Sequence, residues 1–450
     1  MVQGGMSSQF RLMSERRFLP FFITQFLGAY NDNLYKNALV VLMTFEAARF
    51  TTIAPGVLVN LAAGIFILPF FLFSATAGQC ADKFEKSRLI RWTKLLEILV
   101  MALAALAFAL DSLALMLGAL FLMGAQSALF GPVKYAILPV HLREDELVGG
   151  NALVEAGAFV AILVGTIAGG VTISLPGGAL WVSVAALSVA VLGYAASRAI
   201  PTAPAADPGL RINWNPLSET WRNIRFTRGD RTVFLAVLAI SWFWFYGALL
   251  LSQFPGYAKD VLGGDEHAVT LLLAVFSVGI GIGSLMCERL SGKHLEPGLV
   301  PFGSIGLSLF AFDLWWASPA LATGSAPLPL GAVLADAATW RVLVDLLLIA
   351  VFGGFFIVPL YTLVQARSAA AHRSRVIAGL NILNALFMVV AAGMGAGLLA
   401  AGLSVPQLIL VGALLNAAAG LFLCVRAPEF PRRFTAWLRG ATADRPGDAR

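Results

Sequence analysis

Between Gln25 and Asn37 the chain reads Gln-Phe-Leu-Gly-Ala-Tyr-Asn-Asp-Asn-Leu-Tyr-Lys-Asn, with apolar runs over Phe18–Ile23 and Ala38–Phe45 on either side. An acid, a base, three asparagines and a glutamine therefore sit inside a segment long enough to span a bilayer, which takes about 20 mostly apolar residues. An ionisable group at that depth costs at least ~2.5–3.5 kcal/mol and ordinarily faces a pathway or a partner. On an ideal helix Gly28, Asp32 and Lys36 share one face at i, i+4 spacing, and acid one turn before base allows an ion pair. Gln25 extends that face; Asn31, Asn33 and Asn37 widen it. One asparagine there would be interhelical glue. This many polar groups at mid-depth favour a lined cavity that accommodates something polar.

Further polar positions fall inside apolar runs. Asn151 and Glu155 stand i, i+4 near the start of a fifth span, and Glu155 either pairs with Lys134 or faces a central cavity. A seventh span carries Ser241-Trp-Phe-Trp-Phe-Tyr246 and then Gln253, and an eleventh carries Asn381 and Asn384. The aromatic cluster reads chiefly as packing. Glu97 and Asp345 lie within spans three and ten, with partners the sequence does not specify.

Catalytic chemistry is poorly provided for. His141, His267, His294 and His372 lie in loops or near helix ends, without metal-ligand spacing. Cys80, Cys287 and Cys424 are odd in number and fall at expected cytoplasmic helix ends, which argues against disulfides. Gly279-Ile-Gly281-Ile-Gly283 lies inside an apolar helix, where it means close packing and not a nucleotide fingerprint. There is no phosphate-cradling loop of the ATPase kind. No catalytic residue, metal or cofactor is expected, and the chain is not read as an enzyme.

The elements that must position these residues follow from composition. Of 450 residues 59% are hydrophobic and only 12% charged, against about 25% charged in soluble domains, so the chain is an integral membrane protein. Twelve spans are expected, near 18–45, 54–77, 92–110, 113–138, 147–173, 178–198, 231–254, 268–288, 298–317, 340–364, 375–401 and 406–425. The net charge of +6 is a topology signal. Arg11, Arg16 and Arg17, the group Lys83, Lys86, Arg88, Arg91 and Lys94, the central arginines Arg198 to Arg231, and six arginines from Arg426 onward all fall on one side. The other side shows only Arg49, Lys259 and Arg341. By the positive-inside rule both termini are cytoplasmic. Basic charge placed this way does not point to nucleic acid, although it adds some attraction for anionic membrane lipids. No cleavable signal segment is expected ahead of the first span.

Two halves are expected, 1–198 and 231–425, with a cytoplasmic linker over 199–230 and a cytoplasmic tail over 426–450. The linker holds Trp214, Trp221, Arg222 and Arg225, which suit a short helix lying at the interface. The halves look related: Gly78-Gln-Cys-Ala-Asp82-Lys83 and Ser284-Leu-Met-Cys-Glu288-Arg289 place an acid-base pair at the same point of each, the mark of a parallel repeat.

Gly78, Asp82 and Lys83 match the cytoplasmic signature Gly-x-x-x-Asp-Arg/Lys-x-Gly-x-Arg/Lys, departing at Glu85, where glycine is usual. The chain thereby resembles the major facilitator superfamily, which implies an all-α membrane protein of twelve transmembrane helices in two six-helix pseudo-repeats. The resemblance also implies a gating role for Asp82 and Lys83, with Glu288 and Arg289 as their counterparts. Gln25–Asn37, Gly131-Pro-Val-Lys-Tyr-Ala-Ile-Leu-Pro139 and Leu147–Glu155 together look like the bacterial lysophospholipid transporter family, including the transporter portion of its acyltransferase-fused relatives. The fused acyltransferase is not expected in this chain, which ends soon after the twelfth span.

That second resemblance implies inward movement of lysophosphatidylethanolamine across the inner membrane by alternating access, for reacylation by a cytoplasmic acyltransferase. Gln25, Asn31, Asp32, Asn33, Lys36, Asn151 and Glu155 are the expected substrate-binding residues. The alternative function is proton-coupled efflux of amphiphilic small molecules, with Asp32 or Glu155 carrying the proton.

Overall fold

The computed structural model describes residues 8–318 and 327–440; the last ten residues of the expected tail lie outside them. Among the described residues the structure is helical, with one isolated bridge between Gly264 and Leu328. The principal helices are α1 Leu19–Phe45, α2 Pro55–Lys83, α3 Lys86–Ala109, α4 Leu113–Ala136, α5 Leu147–Ile173, α6 Gly178–Ser197, α7 Pro216–Thr227, α8 Arg231–Leu251, α9 Glu266–Leu290, α10 Leu299–Ala317, α11 Ala337–Arg367, α12 Arg373–Ala400, α13 Val405–Arg426 and α14 Glu429–Leu438. Among the described residues eleven helical segments are long and apolar enough to cross a membrane. The twelfth expected span, α1, has 27 residues, about 40 Å of helix; its polar block alone keeps it out of that set.

Local sequence sets the helix starts. Side-chain oxygens accept first-turn N–H groups at Glu85 for α3, Ser112 for α4, Asn215 for α7, Asp230 for α8 and Asp265 for α9. Ser404 and Gln407 form a reciprocal capping box at α13. Such caps satisfy N–H groups that have no partner inside the helix.

The chain divides into two compact units. One holds the residues up to Arg143, Val160–Gly229 and Ser368–Ala385; the other holds Glu144–Phe159, Asp230–Arg367 and the residues from Leu386. In the first unit α1, α2, α3, α4 and α6 enclose a core around Tyr35, Leu39, Met43, Met101, Leu120 and Met123. Tyr35 donates its hydroxyl to the Met116 carbonyl at 2.9 Å. Glycines bring backbones together: Gly124 lies against the Phe66 carbonyl, and Gly165 and Gly169 against those of Tyr30 and Leu34. Lipid gives helices no hydrophobic drive to associate, so close packing of this kind carries the assembly.

The second unit uses the same device. A methyl at Gly279 would stand 2.6 Å from the Leu347 carbonyl oxygen, and one at Gly283 would run into the Val351 carbonyl, so α9 seats directly on α11. Gly281, between them, has open space where a methyl would go. The glycine run is therefore a packing face, as its apolar setting implied. Gly283→Ala is expected to cost about 1–3 kcal/mol through overpacking, and Gly281→Ala to be close to neutral, in thermal unfolding of the detergent-solubilised protein.

Candidate functional site

The polar stretch of α1 lies in the first unit, and its partners come from α2, α3, α4 and α5. Asn31 donates its amide to Glu97 Oε1 at 2.9 Å. Glu97 Oε2 pairs with Lys94 Nζ at 2.6 Å and accepts from Gln126 Nε2 at 3.2 Å. Lys94 is 0% exposed, and its ammonium also lies 5.1 Å from the Phe130 ring centroid. It takes the space a side chain would occupy at Gly28, so the glycine of the expected Gly28–Asp32–Lys36 face makes room for a lysine from another helix. Lys94, grouped by sequence with the basic residues between the second and third spans, is thus a buried charge in the heart of the unit. α3 begins at Lys86, six residues before the expected span, which sets Lys94 more than two turns inside the helix.

Asp32 and Lys36 do not meet as their spacing suggested. Ser127 donates its hydroxyl to Asp32 Oδ2 at 2.6 Å, while Lys36 Nζ stands 5.3 Å from the Phe66 ring centroid. Both side chains are partly exposed. Asn33, buried, donates its amide to the Ala29 carbonyl at 2.8 Å; Asn37 donates to the Thr166 carbonyl at 2.7 Å. The protein's own hydrogen bonding leaves atoms over: both polar atoms of Gln25, Asn31 Oδ1 and Asp32 Oδ1 are buried without a partner. Buried polar groups are nearly always paired with protein, water or ligand, so four such atoms along one helix mark a place built to receive polar atoms.

Asn151 and Glu155 belong to the second unit and are both buried. Asn151 exchanges two hydrogen bonds with Gln365, at 2.8 and 2.9 Å, and donates to the Leu147 carbonyl at 3.0 Å. Its amide joins α5 to α11. Asn151→Ala is accordingly expected to lower thermal stability by about 1–3 kcal/mol, since Gln365 is left buried and unpaired, with little change in the affinity for a transported ligand.

The aromatic cluster of α8 is likewise structural. Trp242 donates to Asn416 Oδ1 at 2.9 Å and Trp244 to the Tyr361 hydroxyl at 3.2 Å. Asp345 is buried on α11, near the pair formed by Arg341 and Asp313 at 2.6 Å. Among the described residues no three His, Cys, Asp or Glu side chains form a group able to hold a metal.

The signature loop builds a second feature within the first unit. Asp82, fully buried at the end of α2, accepts from the Ser374 backbone N–H at 3.1 Å and from Arg375 Nε at 2.9 Å. Ser374 lies in the first turn of α12, where N–H groups lack internal partners and a negative charge is favoured. Gly78, one turn earlier, allows this approach: a methyl there would stand 2.6 Å from Ala378 Cβ and 3.0 Å from Arg375 Cα. Lys83 lies half-exposed beside Phe84.

Glu85, the departure from the signature, has a function the sequence reading missed. It caps α3 and also accepts the Ala203 N–H at 2.7 Å. Burial pushes its carboxyl up, but the N–H groups of Ala203, Ser87 and Arg88 outweigh that and hold it below the usual carboxylate range. In the repeat, Glu288 is buried at the end of α9 and Arg289 is exposed. The turn beyond them takes left-handed backbone at Gly292 and Lys293.

Comparison with known proteins places these features in context. Residues 21–333 match the family model of the Major Facilitator Superfamily. The lysophospholipid transporter LplT of an Enterobacter species is 30% identical over 350 residues, which is 76% of this chain and 78% of that protein. The protein of the same name from Klebsiella pneumoniae is 31% identical over 351 residues, again 76% and 78%. Among solved structures, the Escherichia coli fucose:proton symporter FucP aligns over 92% of this chain and 100% of its own, with a TM-score of 0.69 and 16% identity. A bacterial homologue of the iron transporter ferroportin, in an outward-facing state, aligns over 94% and 99% with a TM-score of 0.66 and 15% identity. At such identities the structures speak to the fold alone.

Proposed function

Because the chain belongs to the major facilitator superfamily and, within it, to the bacterial lysophospholipid transporters, we propose that it is a multi-pass transporter of lysophospholipids. Lysophosphatidylethanolamine moves inward across the inner membrane by alternating access between two six-helix halves, for reacylation by a cytoplasmic acyltransferase. Both termini are cytoplasmic in this reading.

The observation that carries the proposal is the set of unpartnered polar atoms on α1, at Gln25, Asn31 and Asp32, beside the partly exposed Lys36. A lysolipid brings a phosphate, an ammonium and a glycerol hydroxyl into the bilayer together. Asp32 Oδ1 offers an acceptor for the ammonium, and Lys36, held over a ring and not in an ion pair with Asp32, offers its charge to the phosphate. Gln25 and Asn31 Oδ1 serve the hydroxyl. Asn33 and the Lys94–Glu97 pair shape this face from behind. Charge-assisted hydrogen bonds of this type are roughly twice as strong as neutral ones, which favours a zwitterionic head over a neutral amphiphile.

Gating falls to Asp82. Its bonds to Ser374 and Arg375 fasten the start of α12 to the end of α2, and they must open for a ligand to leave on that side. Lys83 attends the same loop, and Glu288 with Arg289 serves the equivalent point of the second half.

The test is reconstitution of the full chain in lipid vesicles and measurement of labelled lysophosphatidylethanolamine entry, with and without a protonophore. Saturable entry above that of protein-free vesicles, competed by unlabelled lysolipid, is the expected result. Entry at the protein-free rate by folded protein would contradict the proposal.

A further inference from the structure

The segment joining the two halves is fastened, not slack. Gln79 of α2 holds Asn213 by both backbone groups, donating to its carbonyl at 2.9 Å and accepting its N–H at 2.7 Å. Lys86 donates from its backbone to Ala203 and from Nζ to Pro204, the Asp207 N–H reaches the Asp82 carbonyl, and Arg375 approaches Asp207 at 3.7 Å. α7 follows, its buried face formed by Glu219, Asn223 and Thr227 at i, i+4, i+8. Phe226 stacks on His372 at 4.8 Å between ring centroids, and the Arg375 guanidinium lies 4.9 Å from the Phe226 ring. α7 therefore rests on the same arginine that Asp82 holds.

The opposite face of α7 is unlike an ordinary solvated surface. Trp214, just ahead of the helix, and Leu217 and Trp221 on it are 75%, 82% and 57% exposed, and the half-buried Ile224 continues their stripe. Arg225 and Arg228 are exposed alongside them, with the Arg228 guanidinium 5.7 Å from a Trp221 ring, and Arg222, also exposed, reaches the buried Glu219 at 3.7 Å. Indole rings with flanking arginines are what a helix lying in a bilayer interface presents: the rings enter the headgroup layer and the cations meet lipid phosphates. Apolar bulk alone would suit a protein partner equally. The run of arginines, with the bilayer adjoining any spanning chain, selects a negatively charged membrane surface, which attracts each basic side chain.

We infer that the exposed face of α7 is a docking surface for anionic phospholipid, and that lipid seated there steadies α7 against His372 and Arg375. Anionic lipid thereby favours the closed Asp82–Arg375 contact. The inference rests on the chain's spanning a bilayer and on no particular substrate.

Hydrogen–deuterium exchange of the full chain in nanodiscs tests it without any transport readout. Phosphatidylcholine discs are compared with discs that also contain phosphatidylglycerol. Exchange over 214–227 is expected to slow severalfold when phosphatidylglycerol is present, and to recover in high salt, which screens exposed charges. The variant Arg225→Gln/Arg228→Gln alters exposed side chains and leaves the Arg222–Glu219 pair in place; it is expected to exchange nearly equally in both discs while α2 and α3 keep wild-type protection. Equal exchange of the wild-type helix in the two lipids would overturn the inference, as would a lipid difference that survives in the variant.

Discussion

Glu97→Gln is expected to lower the stability of the first unit by about 3–5 kcal/mol, because it leaves the fully buried Lys94 ammonium without its counter-charge. Lys94→Met is expected to cost a similar amount from the other side, stranding the Glu97 carboxylate. Replacing both, as Lys94→Met with Glu97→Leu, removes the charges together, and exchanging a buried pair for apolar groups of similar volume is often near neutral. The double variant should therefore recover most of the loss. Asn31 and Gln126, which donate to Glu97, would still lack their acceptor, so recovery short of wild type by about 1–2 kcal/mol is expected. Thermal unfolding of the four proteins in one detergent measures this as a double-mutant cycle. Losses that simply add in the double variant would mean that the two side chains act independently.

The second large effect concerns transport. Asp32→Asn keeps a group able to accept from Ser127 but removes the negative charge offered to an ammonium. A charge-assisted hydrogen bond contributes about 1.5–3 kcal/mol, so lysophosphatidylethanolamine uptake at low concentration should fall roughly 10- to 100-fold. Lys36→Ala removes the charge offered to the phosphate, and a loss of the same order is expected. The Asp32 variant should discriminate less between head groups with and without an ammonium; the Lys36 variant should weaken every phosphate-bearing lysolipid alike. Both side chains are partly exposed and unpaired with each other, so stability should change by less than about 1 kcal/mol in either case. This separates them from Glu97→Gln, whose principal effect is on folding.

Sequence patterning made much of this legible, for physical reasons that also explain what it missed. Apolar runs bounded by caps and glycines reveal helices, since both the bilayer length and the need for caps are local. The signature carboxylate of Asp82 was equally visible. Its partner Arg375 lies 293 residues away, and nothing local distinguishes that arginine from its neighbours Arg367 and Arg373. Lys94 was grouped with the basic residues between the second and third spans because a cation near a span end counts with them when charge is used to set topology. The available signal was Lys94-Leu-Leu-Glu97, acid and base at i, i+3 inside an apolar run. Asp32 and Lys36 had the spacing of an ion pair, but Ser127 and Phe66 lie closer at hand in the fold. The fastening of the linker runs mostly through backbone groups at Ala203, Pro204, Asp207 and Asn213, and residue type carries little trace of such bonds.

The central claim is that the polar face of α1 receives the head group of a lysolipid. Its most direct test is the uptake of labelled lysophosphatidylethanolamine by vesicles holding equal amounts of folded wild-type protein, Asp32→Asn or Lys36→Ala. Saturable uptake by the wild type, reduced at least tenfold in each variant at unchanged melting temperature, is the expected result. Wild-type rates in both variants would contradict the claim.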